Sequence, residues 1–286
     1  MTAPSPPLDP RQHAVRPDLA DARLRGQVDA AVFVEGEAAH VAWAAQPLLR
    51  RPAADAPMES QVLPGESVRV FERARGWAWV QCDHDGYVGY LHSEALSDKT
   101  LPPPTHLVKA RETPLLSDAR QECAPLLSLS LGAPVRVAQA GERFHRVEPG
   151  GYVFADHLRR ADRPECDWVA VAERLLGLPY LWGGRGAGGV DCSGLVQIAL
   201  AACGIACPRD SNQQAIGLGQ PVVLDSAAWR RGDLIYVPGH VVIDAGDGDV
   251  VHATGYAWSV IREPREQCLQ RLAGLGLVVT AVRRPA

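Results

Sequence analysis

Asp191-Cys-Ser-Gly-Leu-Val-Gln-Ile-Ala-Leu-Ala-Ala202 is the stretch on which the reading of this chain turns. After its first four residues it is almost wholly apolar, so it reads as a helix buried inside a domain. The glycine-rich loop Trp182-Gly-Gly-Arg-Gly-Ala-Gly-Gly189 runs directly into it. Cys192 therefore sits where a chain leaves a loop and enters a helix. The reactive form of cysteine is the thiolate, and the free N–H groups and positive dipole end of a helix N-terminus favour it. The flanking glycines are expected to let a substrate backbone come close to the sulfur. A cysteine at a helix start is by itself more often structural, and a nucleophile needs a base.

The base comes from the pairing of two strands downstream. His240-Val-Val-Ile-Asp244 and Asp249-Val-Val-His252 read as strands joined by a turn rich in Asp and Gly. Centring the hairpin on Gly246 sets residue 240 opposite residue 252, with the two imidazoles on one face and Cβ atoms about 5 Å apart. One ring can then hold the orientation and tautomer of the other.

Around these two segments the pattern is that of an α+β domain. Asp167-Trp-Val-Ala-Val-Ala-Glu-Arg-Leu-Leu176 has apolar residues at helical spacing and stops at Gly177 and Pro179. Asp233-Leu-Ile-Tyr-Val237 and Leu277-Val-Val-Thr-Ala-Val282 add further short strands to an antiparallel sheet.

Taken in order, Pro179-Tyr-Leu-Trp-Gly-Gly184, Asp191-Cys-Ser-Gly-Leu-Val196, Pro208-Arg-Asp-Ser-Asn-Gln-Gln214, Gly232-Asp-Leu-Ile-Tyr236, His240-Val-Val-Ile and Val251-His-Ala253 resemble the NlpC-type peptidases. These are papain-like γ-D-glutamyl-diamino-acid endopeptidases of bacterial cell walls, and the resemblance covers roughly residues 165–286. It implies Cys192 as nucleophile, His240 as general base and acid, and His252 as the polar residue that orients His240. It implies Tyr180 as a hydroxyl beside the oxyanion, although a tyrosine packed under the loop fits too. Asp191 and Ser193 match positions that bind the substrate's N-terminal residue, and both residue types equally suit helix capping. Ser211 matches a substrate-contacting serine, while Ser211-Asn-Gln-Gln214 also reads as a capping box. The resemblance requires no metal and no cofactor, although a Cys, two His and an Asp together make a zinc site conceivable.

Upstream, the chain repeats itself. Gly65-Glu-Ser-Val-Arg-Val70 aligns with Gly132-Ala-Pro-Val-Arg-Val137, Trp77 and Val80 align with Phe144 and Val147, and Gly86-Tyr-Val88 aligns with Gly151-Tyr-Val153. The stiff linker Leu101-Pro-Pro-Pro-Thr105 separates the copies. The reading is an arm over 1–29, partly ordered at best, then small all-β units over 30–99 and 104–160 and the peptidase domain over 161–286. The β units resemble tandem bacterial SH3-like domains. With them in front, the layout resembles murein-peptide recycling enzymes of the cytosol. In those, an acidic residue and a tyrosine of the first barrel grip the free amine of an N-terminal L-alanine. Glu66 and Tyr87 match those positions imperfectly, and a solvated turn residue is the plain alternative for Glu66.

Composition narrows the partners. Twenty-nine basic and 33 acidic residues give a net charge of −4, with no basic stripe of the kind a nucleic-acid partner favours. No apolar run reaches the ~18–20 residues that span a bilayer, and the first residues lack the pattern of a secretory leader. The seven cysteines are irregularly spaced and suggest no disulfide framework, so a cytoplasmic location is expected. The expected substrate is a small murein peptide, L-Ala-γ-D-Glu-diamino acid, with no nucleic acid and no membrane as partner. The alternatives are a secreted peptidoglycan hydrolase that uses the β units to hold the wall, an amidase or acyltransferase on the same fold, or a binding protein with a vestigial catalytic domain, against which the intact Cys/His/His set argues.

Overall fold

A computed structural model of the chain describes residues 8–42, 44–99 and 101–285. It divides into two compact units, one ending at Pro102 and the other beginning at Pro103.

The first unit is built on a seven-stranded antiparallel sheet. Numbered along the chain from Glu37–Val41 to Leu96–Ser97, its strands lie in the order 3-2-6-5-4-1-7. Alternation drives it: Val68 and Val70 on one strand, and Ala78 and Val80 on the next, meet Leu48, Val62 and Leu91 in one core. Arg75 and Gly76 both take left-handed φ in the two-residue turn between these strands, the geometry that matches strand twist.

Of the expected arm, residues 1–7 lie outside the described residues, and the rest carries regular structure. Leu19–Asp21 pairs in parallel with Val32–Val34, and Ala14 and Leu19 bury themselves against Phe71 and Trp79. Arg16 lies 4.4 Å over the Trp79 ring and donates to Glu72 at 2.7 Å. Phe71 and Trp79 therefore have a partner that the arm's lack of periodicity did not announce.

The second unit begins with another seven-stranded sheet, from His106–Val108 to Leu158–Arg160, with the same strand order, 3-2-6-5-4-1-7. The repeat persists in the register. Val70 pairs with Val80, Val137 pairs with Val147, and a bulge follows each pair on the first strand. This sheet packs onto the C-terminal part of the same unit. Leu131 enters the same core as Leu175, Leu178, Val190 and Ile198, and the Ala187 amide donates to Ser130 Oγ at 2.9 Å.

The rest of the unit is α+β, as expected. A six-stranded antiparallel sheet runs in the order Gln220–Val222, Ala281–Arg284, Leu234–Val237, His240–Gly246, Asp249–Thr254, Ser259–Pro264. On one face Leu195, Val196, Ala199 and Leu200 of the helix Cys192–Ala202 meet Leu234, Tyr236, Val241, Ile243, Val251 and Ala253. On the other, Cys268 and Leu272 of the helix Arg265–Gly274 cover Ile235, Val242 and Val250. Successive side chains of one strand thus serve two cores. Among the described residues no helix is long and apolar enough to cross a membrane.

Candidate active site

Cys192 is the first residue of its helix, with Asp191 as N-cap. The Asp191 carboxylate accepts from the Gly194 amide at 2.7 Å and from the Gly183 amide at 2.8 Å. Arg209, 1% exposed, reaches it bidentately at 3.0 and 2.7 Å and also donates to Ser193 Oγ at 2.9 Å. Asp191 and Ser193 are therefore engaged within the protein, as cap and ion-pair partner. Their hydrogen bonds fix the loop and the helix start as one piece.

Two glycines near the cysteine are close-packed, while a Cβ on Gly188 would meet nothing within 4 Å. A Cβ on Gly194 would stand 2.3 Å from the Gly184 carbonyl oxygen, and one on Gly184 would stand 2.5 Å from that of Gly189. It is the protein's own backbone that needs the room.

Cys192 is 7% exposed. Burial pushes its thiol up to about 12, with the Asp191 charge adding to the effect. The Val241 amide, aimed at the sulfur, and the Arg209 charge oppose it. The helix-terminal preference for thiolate is thus outweighed by desolvation in the enclosed site.

His240 and His252 do come together, but in a register other than the expected one. Ile243 faces Val251 and Asp244 faces Val250, so one step further His252 lies across from Val242, and His240 is its diagonal neighbour. The turn is centred on Asp247-Gly248, both with left-handed φ (54° and 81°), and Ala245 bulges out between Asp244 and Gly246. Centring on Gly246 missed both. The face is kept, because a shift of two residues preserves side-chain direction. His240 Nε2 stands 2.8 Å from His252 Nδ1. Burial pushes the His240 imidazolium down to about 3, with His252 and Arg271 adding to it and Asp191 and Glu263 opposing.

Two partners lay outside the sequence reading. His252 Nε2 lies 2.8 Å from Glu263 Oε1, and Arg271 clamps Glu263 with Nη1 to Oε2 at 2.8 Å and Nη2 to Oε1. Glu263 sits one diagonal from His252 on the strand Ser259–Pro264, where His252 faces Ile261. His252, Glu263 and Cys268 offer donors within 4.8 Å of one another, as do Cys82, His84 and Asp85. In the first set the guanidinium of Arg271 already fills the place of a cation at Glu263.

Tyr180 is half-buried, beside Cys192, and burial pushes its phenol up to about 12, so it is a neutral donor. Its ring meets Trp258 edge-on at 6.2 Å. Ser211 opens the helix Ser211–Gly217, but Asp210 is the N-cap, so the capping box does not form. Gln214, fully buried, instead donates to the carbonyls of Ser193 at 3.1 Å and Pro208 at 2.8 Å. In the first unit Tyr87 is 1% exposed and belongs to the core of the sheet, which removes its side chain from the surface where a substrate contact was expected. Gly86, with left-handed φ (74°), turns the chain just before it. Glu66, 9% exposed, accepts from the Leu63 amide at 2.7 Å, with His84 Nδ1 at 3.9 Å.

Comparison with known proteins covers the part of the chain that holds these residues. Residues 177–273 match the NlpC/P60 family, and residues 48–96 match the bacterial dipeptidyl-peptidase SH3 domain. The γ-D-glutamyl-L-lysine dipeptidyl-peptidase of Bacillus subtilis is 29% identical over 222 residues, 68% of this chain and 72% of the relative. Its namesake from Bacillus cereus is 24% identical over 226 residues, 68% of this chain and 67% of the relative. The crystal structure of an NlpC/P60 family protein from Bacillus cereus shares the fold, with a TM-score of 0.73 at 22% identity, covering 87% of this chain and 99% of that one. With a cysteine at a helix N-terminus, a histidine pair on the adjoining sheet and these matches, the chain is a cysteine peptidase whose residues 177–273 form an NlpC/P60 domain, with a bacterial dipeptidyl-peptidase SH3 domain matched over residues 48–96 ahead of it.

Proposed function

We propose that this peptidase hydrolyses the γ-D-Glu–diamino acid bond of small murein peptides that begin with a free L-alanine. The observation that carries the chemistry is the buried Cys192 facing the Val241 amide, next in the chain to a histidine hydrogen-bonded to a second one. The names of the Bacillus relatives support the bond and the leaving residue.

The electrostatics favour a neutral thiol and a neutral imidazole at rest. His240 then takes the thiol proton as the sulfur attacks the γ-carbonyl. The Tyr180 hydroxyl and the Cys192 amide meet the developing oxyanion. The intermediate collapses to a thioester, and His240 passes its proton to the leaving α-amine. His240 next deprotonates water, which releases L-Ala-D-Glu and restores the thiol. Asp191 and Ser193 at the start of the Cys192–Ala202 helix, and Ser211 at the start of the helix Ser211–Gly217, are the residues proposed to meet the substrate's N-terminal residue. The equal strand order and register of the two β sheets support reading both as SH3-like domains, over 30–99 and 104–160, ahead of the peptidase domain at 161–286. The seven free thiols fit a reducing compartment and support a cytoplasmic recycling role.

Incubation with L-Ala-γ-D-Glu-diaminopimelate and its L-lysine counterpart, read by mass spectrometry, tests this. L-Ala-D-Glu and the free diamino acid are expected. Faster release from intact peptidoglycan than from either tripeptide overturns the recycling reading in favour of wall hydrolysis. Transfer of the dipeptide to an added amine in preference to water marks an acyltransferase.

A further inference from the structure

From the hydrogen-bond chain behind the histidine pair we infer that Glu263, held by Arg271, is a positioning residue that sets the direction of proton donation through His252 and leaves His240 Nδ1 free as the base. The inference rests on the catalytic roles proposed above for Cys192 and His240.

The argument is one of donors and acceptors. An ionised carboxylate only accepts. Glu263 is paired twice with Arg271, whose guanidinium also lies 4.2 Å over the Tyr256 ring, and the pairing holds the carboxyl below its usual range despite its burial. The 2.8 Å contact from His252 Nε2 to Glu263 Oε1 must therefore carry its proton on Nε2. The neutral ring then has its lone pair on Nδ1. That lone pair faces His240 Nε2 at 2.8 Å, so His240 Nε2 carries the proton of this second contact. The remaining nitrogen of His240, Nδ1, is left with a lone pair, as a base for the Cys192 thiol requires. Reversing any one step reverses all of them, and a reversed chain would leave His240 Nδ1 with an N–H in place of its lone pair.

The surroundings reinforce the same direction. The groups that face the pair are Cys268 and Arg271 from the helix Arg265–Gly274, Glu263 from the adjoining strand and Asp191 from the helix cap. Cys268 Sγ is 4.0 Å from His252 Nε2, and burial pushes its thiol up to about 12. It therefore offers no competing charge near neutral pH. Arg271 prefers His252 neutral, which suits a residue that orients and does not itself carry the proton. When His240 gains the thiol proton, the Glu263 charge lies on the far side of His252 and favours the imidazolium.

An amide at 263 loses this one-way property. Gln accepts through Oε1 or donates through Nε2, so Glu263→Gln lets the chain run in either direction with nearly the same shape. The test combines two readouts. ¹⁵N-histidine NMR of the wild-type protein near pH 7 is expected to place the proton of His252 on Nε2 and that of His240 on Nε2, whatever the substrate proves to be. Glu263→Gln is expected to lower kcat on the tripeptide by about tenfold or more, within the about 10²–10⁴-fold span of general-base effects, with KM changed less than about twofold. Glu263→Asp, which keeps an acceptor-only group, is expected to recover part of that loss. A proton on His252 Nδ1 in the wild type, or a Gln variant as fast as wild type, overturns the inference. A wild type that leaves the tripeptides intact yet shows the expected tautomers would sink the function proposed above and leave this inference standing.

Discussion

Replacing Arg209 with Met should loosen the start of the Cys192–Ala202 helix, and the structure sets the scale. Arg209 and Asp191 form a buried ion pair, with side chains 1% and 11% exposed. Removing one partner of such a pair typically costs ~3–5 kcal/mol, because the other charge is left enclosed. Here the lower end applies. Asp191 keeps the amides of Gly183 and Gly194 and the Ser193 hydroxyl at 3.3 Å, so Arg209→Met should cost about 3 kcal/mol locally. Asp191→Asn in the same background removes the stranded charge and should return about 1–2 kcal/mol, a coupling within the range of contacting residues. Whole-chain denaturation would mix the domains, so the assay is native-state hydrogen exchange at the amides of Gly194 and Leu195, which reports local opening. A cost below about 0.5 kcal/mol for Arg209→Met, or strictly additive single mutants, would refute the ion-pair account of the loop.

The pH dependence follows from the burial of the histidines. The folded His240 binds its proton far more weakly than its ordinary value of 6.5 allows, and His252 shifts the same way. Below about 6.5 the unfolded chain binds protons that the folded one does not, so stability should fall as pH drops from 6.5 towards about 3. Over the same range His240 remains an unprotonated base, and the acid limb of kcat/KM should lie below pH 6.5; a limb at or above that value contradicts the neutral-pair reading. Tyr180→Phe should lower kcat by about a hundredfold, as loss of an oxyanion donor does, and an unchanged kcat would remove Tyr180 from the oxyanion site. N-acetylation of L-Ala-γ-D-Glu-diaminopimelate should lower kcat/KM by about tenfold or more, matching ~1.4 kcal/mol of charge-assisted hydrogen bonding; equal rates would mean that the free amine is not recognised.

Much of the catalytic domain was legible because its signals are local. The apolar run after Asp191 and the stop at Gly177 are enough to mark two helices, found as Cys192–Ala202 and Trp168–Glu173. The repeat was legible because equal offsets conserve strand pairing, Val70 with Val80 and Val137 with Val147. The histidine pair was found on the right face in the wrong register, since face depends on parity alone and register on the turn and bulge. What escaped was non-local. The strand Ser259–Pro264 and the helix Arg265–Gly274 carry few apolar residues, and only Cys268 and Leu272 of that helix are buried. With those elements unread, Glu263 and Arg271 had no address. Burial itself was equally invisible, and it decides the protonation of Cys192 against the helix dipole.

The most direct test traps the intermediate. Wild-type protein mixed with L-Ala-γ-D-Glu-diaminopimelate, quenched in acid within the first turnovers, digested and read by mass spectrometry, should carry an L-Ala-D-Glu acyl group on the peptide containing Cys192. Cys192→Ala should show neither the adduct nor turnover. Continued cleavage by Cys192→Ala, or an acyl group on a different residue, would contradict the account at its centre.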